Sequence, residues 1–180
     1  MKEQIVYFEK PGRENTAEVI QLVKERARAR GISKVVLAST RGGTARAAAD
    51  AFQGTDLRLV VVPWQFGFGD QQPFPQELVG ELEAKGHRVH FGTMLFHTED
   101  LYGTKTPNVM ANLLRIFGQG IKVCVEIIMM ACDGGRIDLG ERVIAAAGAG
   151  AGADTAIVAT ASSSTRMTGL RVHEIICKPL

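Results

Sequence analysis

The stretch Leu37-Ala38-Ser39-Thr40-Arg41-Gly42-Gly43-Thr44-Ala45-Arg46, "LASTRGGTAR", sits between an apolar β-branched run and an alanine-rich segment. "KVVLAS" (34–39) reads as a strand buried on both faces, and "ARAAADAF" (45–52) is helical by propensity. The quoted residues are then the loop of a strand-loop-helix unit, and the flanking sequence repeats that order. Upstream, Ile5 to Phe8 is a short strand, Pro11-Gly12 a turn, and "ENTAEVIQLVKERARARG" (14–31) a helix that Asn15 or Thr16 can cap and Gly31 ends. Downstream, "LRLVVV" (57–62), "QELVGELEAKG" (76–86) and "RVHF" (88–91) read as strand, helix and strand. Such alternation predicts a three-layer α/β/α fold on a mixed, mainly parallel sheet, in one domain spanning 1–180.

Three later segments take more argument. Thr106-Pro107 opens a helix whose apolar spacing runs through Val109, Leu113, Ile116 and Phe117. "IKVCVEIIMMACDGG" alternates like a strand at Val123, Val125 and Ile127, but Lys122 and Glu126 at i,i+4, the Met pair and Gly134 favour a helix. On it Glu126 and Asp133 share a face, and the plain reading is a Lys122 ion pair plus a helix-end polar group. "ERVIAAAGAGAG" would lose about 1 kcal/mol per glycine as a helix, so a short strand entering a glycine loop is expected. "DTAIVAT" (154–160) and "LRVHEIIC" (170–177) add two strands.

The composition is that of a globular chain: 46% hydrophobic, 22% charged, with 21 basic against 19 acidic residues. Lys24, Arg26, Arg28 and Arg30 read as the solvated, cationic end of one helix rather than a nucleic-acid surface. No nucleic-acid partner is expected. The most apolar stretch, Ile121 to Cys132, is too short for a membrane span and contains Lys122 and Glu126. Cys124, Cys132 and Cys177 are widely separated, and with no signal-like N-terminus they point to buried thiols in the cytoplasm.

A phosphate requires fixed N–H donors, hydroxyls and a cation within a tight span. Ser39, Thr40 and Thr44 offer hydroxyls, Gly42 and Gly43 let the backbone approach, and Arg41 or Arg46 can add charge. The pattern is neither a Walker loop nor the dinucleotide fingerprint, and a glycine turn that merely caps its helix looks the same in sequence. "PWQFGFGDQQPFP" (63–75) holds the only Trp and three Phe residues beyond a strand end. It reads equally as a site wall, a subunit contact in a homo-oligomer, or packing. His97 with Glu99 and Asp100 reads as a solvated loop, and no metal set or catalytic constellation stands out. Nor does Cys132-Asp133 have an evident partner base.

"KVVLASTRGGTARAAADAF" and "ERVIAAAGAGAGADTAIVAT" resemble two parts of the C-terminal α/β domain of pyruvate kinase that face each other across an effector pocket. "VYFEKPGRENT", "GQGIKVCVEIIMMACDGG" and "GADTAIV" further resemble a stand-alone, mostly archaeal family built on that domain. A (β/α)8 barrel needs roughly 200–250 residues, so pyruvate kinase activity is not expected of this chain. The stand-alone family implies flavin mononucleotide (FMN) as cofactor, with an unassigned reaction that includes oxidoreduction. The resemblance places the phosphate on Ser39, Thr40, Arg41, Gly42, Gly43 and Thr44 and makes the glycine loop with Gly148 and Gly150 the other side of the pocket, while the loop of Phe66, Gly67 and Phe68 offers the apolar, aromatic slot that a flavin ring needs. The alternative is a non-catalytic module that binds a small phosphorylated ligand, a sugar phosphate or a nucleotide.

Overall fold

The computed structural model describes residues 2–180. Seven strands, β1 (Val6–Phe8), β2 (Lys34–Ala38), β3 (Arg58–Val62), β4 (Arg88–Val89), β5 (Arg142–Ala147), β6 (Thr155–Thr160) and β7 (Arg171–Pro179), form one sheet in the order β1-β7-β6-β5-β2-β3-β4. Only β6 runs against its neighbours, and all other pairs are parallel. The mixed, mainly parallel three-layer architecture expected from the alternation is present.

The period of two along each strand sorts the core into two layers. Val35, Leu37, Leu59, Val61, Ile144 and Ala146 face α1 (Thr16–Arg30), α2 (Gly43–Ala51) and α3 (Gln76–Ala84). Val36, Val60, Val62, Val143, Ala145 and Ala147 face α6 (Gln119–Asp133). The outer side of α6 is covered in turn by Phe96, Ala111 and partly buried Met110 and Leu114. α6 is therefore apolar nearly all round because protein lies on both sides of it. That decides the strand-or-helix ambiguity of its sequence.

Several local readings change. Asn15 stands at the start of α1, but its amide donates to the Lys10 carbonyl (2.8 Å) instead of capping; Gly31, at φ +63°, does end the helix. The cations of α1 are not simply a solvated face. Arg26 and Arg30 both grip Glu174 of β7, Arg30 also holds Glu3 (2.6 Å), and Lys24 donates to the Ala51 carbonyl; Arg28 alone of the four is exposed. β4 is shorter than "RVHF", although the His90 amide still reaches the Val61 carbonyl (2.8 Å). The segment from Thr106 is helical as α5 (Thr106–Arg115), following the one-turn α4 (Glu99–Tyr102). Its stripe of Val109, Leu113, Ile116 and Phe117 nonetheless points outward, 58–75% exposed, while Ala111 takes the inner face.

The three cysteines are buried and unbridged. Burial pushes the Cys177 thiol up to about 12 and raises those of Cys124 and Cys132, so none is a ready nucleophile. Among the described residues, no helix is long and apolar enough to cross a membrane.

α6 approaches β6 through Gly120, where an added Cβ would lie 2.0 Å from Thr155 Oγ1. Gly120→Ala should therefore destabilise the protein by about 1–3 kcal/mol. Urea unfolding would show a lower midpoint with an unchanged slope; an unshifted midpoint would mean that α6 can withdraw from the sheet freely.

Candidate functional site

A cavity of about 670 Å³ opens over the carboxyl ends of β2, β3 and β5, where parallel α/β sheets present their loops to ligands. Its walls come from four parts of the chain, each built for a different kind of contact.

The first wall is the loop after β2. Ser39 is buried, and its Oγ accepts the Ala45 amide (3.2 Å), so this hydroxyl caps α2. Gly42 takes φ +83°, and a Cβ there would lie 2.4 Å from Leu78 Cδ2; only glycine lets the chain turn so close to α3. The turn points the amides of residues 40–44 away from protein acceptors: among the described residues none of these five N–H groups has a partner. Ser39, Thr40, Arg41, Gly43 and Thr44 line the cavity, and Gly42 does not. Arg46 is not part of this wall, because it pairs with Glu81 on the surface (2.9 Å).

The second wall is the glycine loop after β5, with Gly148, Gly150, Ala151 and Gly152 along the cavity beside Arg13 and Thr16 of the N-terminal segment. Asp154, fully buried, fixes it by accepting from the Ala149 amide (3.0 Å), the Gly12 amide (3.2 Å) and Thr155 Oγ1 (2.7 Å). Thr16 Oγ1 adds a bond from the Ala153 amide (3.0 Å). Side chains are excluded sterically: a Cβ on Gly152 would come within 2.4 Å of the Arg13 backbone, and one on Gly148 within 2.6 Å of the Gly152 carbonyl.

The third wall is aromatic, and here the expected residues divide. Trp64 and Phe68 line the cavity in edge-to-face contact (5.1 Å), whereas Phe66 is 63% exposed and leans on Phe91 (4.8 Å). Gly67, at φ +77°, makes the turn between them, and neither Phe66 nor Gly67 reaches the cavity. Of the two rings expected to form the slot, Phe68 reaches the cavity, with Trp64 beside it, and Phe66 does not. A loop has no fixed alternation, so equal spacing in sequence did not mean equal direction.

The fourth wall is α6, with Val123, Ile127 and Met130 giving an apolar surface beside Met94. Among them stand Lys122 and Glu126, which are 1% and 3% exposed. Lys122 Nζ donates to Glu126 Oε2 (2.5 Å) and lies over the Phe96 ring (5.2 Å). Glu126 Oε1 accepts the Phe96 amide (2.9 Å) and lies 3.4 Å from Nδ1 of His97, whose ring meets Phe68 edge-on (5.3 Å). The "HTED" loop is therefore not merely solvated: His97 lines the cavity on a short 3-10 turn, Leu95–His97. The ion pair was legible from its i,i+4 spacing. Its place in a cavity wall was not, although charges inside a helix apolar on every side must be paired or face a polar opening. His87 and His90 lie away from the cavity, and His87 Nδ1 accepts the Leu59 amide (3.3 Å) as a structural partner.

Burial alone would push the Glu126 carboxyl up, but the His97 contact, the Lys122 ammonium and the Phe96 amide together hold it below its ordinary value. Because the folded-state value is depressed, the stabilisation from Glu126 is complete above the unfolded carboxylate value, about pH 4.3. It is lost as pH falls through the folded value. Glu126→Leu leaves the Lys122 ammonium buried without its partner and should cost about 3–5 kcal/mol at neutral pH, while Lys122→Met with Glu126→Leu should cost much less. Urea unfolding of both variants across pH 3–7 checks this, with the double variant losing less stability on acidification than the wild type.

No family model matches the chain. Among solved structures it is similar to a pyruvate kinase from Cryptosporidium parvum, at 17% identity over 82% of this chain and 23% of that one, with a TM-score of 0.44. A pyruvate kinase from the same organism in complex with ADP gives 16% identity over 73% and 20% of the two chains, with a TM-score of 0.39. The chain spans about a quarter of the length of these kinases or less.

Proposed function

We propose that this protein binds a phosphorylated small molecule in the cavity over β2, β3 and β5, with its phosphate on residues 40–44. The observation that carries the reading is the set of unpartnered amides there, opening on the cavity at the amino end of α2. Backbone N–H groups and a helix dipole directed at one point form an anion cradle without a lysine. Arg41, Thr40 and Thr44 line the same wall and supply a cation and two hydroxyls.

FMN is the ligand we favour. It has one phosphate for one cradle and a planar ring system that suits the Trp64, Phe68, Met94 and Met130 surfaces opposite. The volume of about 670 Å³ lies within the range of roughly 300–1,000 Å³ usual for cofactor sites. When bound, flavin would supply redox chemistry, and an oxidoreductase role follows from that reading. The chain's own part is to hold the phosphate, shield the ring and present polar groups from α6 to it. A sugar phosphate or nucleotide held without chemistry uses the same cradle and makes no demand on the aromatic wall.

Titration of FMN with the protein, followed by flavin fluorescence, should show saturable quenching, with riboflavin bound more weakly because it lacks the phosphate. Gly43→Glu is a selective test: φ at Gly43 is ordinary and an added Cβ meets nothing within 4 Å. A carboxylate at the first position of α2 should leave the fold intact or stabilise it by about 0.3–1 kcal/mol. It should weaken FMN roughly tenfold or more, equivalent to about 1.4 kcal/mol. Binding of a sugar phosphate but not FMN, lost in the same variant, would favour the non-catalytic module. Undiminished FMN affinity in Gly43→Glu would remove the phosphate from this loop.

A further inference from the structure

Glu126 joins three groups from two parts of the chain. Its two oxygens accept the Lys122 ammonium, from α6 itself, and the Phe96 amide, which ties the turn at Leu95–His97 to α6. His97 adds a third contact, through Nδ1, from a side chain that remains 30% exposed. A carboxylate at Nδ1 selects the tautomer that carries its proton there and leaves the lone pair on Nε2. The Phe68 ring meets the imidazole edge-on (5.3 Å), and the same imidazole lines the cavity.

We infer that His97 is a proton-exchanging residue of this cavity, held in one tautomer by Glu126, and that it takes a ligand bearing an N–H or O–H group apart from its phosphate. In the forward step the Nε2 lone pair accepts the proton, the electrons of the broken bond stay on the ligand nitrogen or oxygen, and the imidazolium faces the Glu126 carboxylate. The reverse step returns the proton, and no other reactant is consumed. Glu126 and Lys122 are positioning residues: the first fixes the tautomer, and the second keeps the carboxylate ionised and in place. The charged groups that line the cavity with His97 are Glu126 and Lys122 from α6 and Arg13 and Arg41 from the other walls, and Glu99 and Asp100 follow it on its own segment. Glu126 alone of these is in contact with the ring nitrogen.

The inference rests on the proposed ligand cavity, but its first test needs no ligand. Nitrogen-15 NMR of the imidazoles in the intact protein above pH 8 should show His97 with its proton on Nδ1. Glu126→Gln should move it toward the Nε2-protonated form common in a free histidine side chain, while Lys122→Arg, which keeps the ion pair, should leave it on Nδ1. A wild-type His97 protonated on Nε2, or a tautomer indifferent to Glu126→Gln, overturns the assignment even if the cavity binds FMN well.

The second test uses FMN as the probe, with the nitrogen-15 spectrum of the same imidazoles recorded at pH 8, where the ligand phosphate is already dianionic. Saturating FMN should shift the His97 Nε2 resonance from its position in the free protein toward that of a hydrogen-bonded or protonated nitrogen, while the phosphate-dependent part of the affinity persists in His97→Gln. An Nε2 resonance unmoved by saturating FMN also overturns the assignment. Absence of any FMN binding by the wild type counts against the flavin reading alone, and the tautomer then decides the role of His97.

Discussion

The pair of Lys122 and Glu126 sets the terms for the rest of the molecule. Two ions inside a helix that is covered on both sides face a large desolvation cost, which their mutual attraction offsets only when further hydrogen bonds complete the geometry. Glu126 meets that condition through the Phe96 amide, so the segment after β4 must approach α6 at one height for the pair to be tolerated. That approach brings His97 to the cavity and Phe96 beneath the ammonium. A hydrophobic pair of similar volume would hold α6 to the sheet as well, but it would give the Leu95–His97 turn no fixed acceptor to grip.

The two walls nearest the strand ends differ in how firmly they are held. The glycine loop is fixed through Asp154, whose acceptors gather the N-terminal segment, the loop itself and the start of β6. The turn at residues 40–44 is fixed by the Ser39 cap and by the close passage of Gly42 over Leu78. Both bring backbone up to the cavity, and the turn adds the side chains of Thr40, Arg41 and Thr44. The aromatic loop is held by side-chain amides: Gln72 holds the Trp64 carbonyl (2.9 Å) and the Phe74 amide (3.1 Å), and Gln65 holds the Met94 amide (2.6 Å).

Much of this was readable in the sequence because it rests on local rules. β-branched runs gave β2 and β3, glycine ended α1, and loss of helix stability at three glycines turned residues 148–152 into a loop. The turn at residues 40–44 was legible for the same reason, since its parts are contiguous. What escaped depends on long-range packing. Arg26 and Arg30 read as solvent-facing because their partner, Glu174, lies in the last strand. Phe66 and Phe68 look equivalent until the turn at Gly67 sends one to Phe91 and the other to the cavity. His97 meets Glu126 across 29 positions of sequence, and nothing near either residue announces the other.

The exposed stripe of α5 shows the same limit from the other side. Val109, Leu113, Ile116 and Phe117 have the spacing of a buried face, and that spacing predicted the helix correctly. Burial did not follow, because α6 was already covered at this point by Ala111 and Phe96, and a helix has only one inner face to offer. Periodicity therefore reports that a helix has an apolar side; which protein surface covers that side is set by the order in which the layers stack. The same stacking encloses Lys122 and Glu126 between the sheet and α5, and thereby turns an ordinary i,i+4 pair into the polar floor of a cavity.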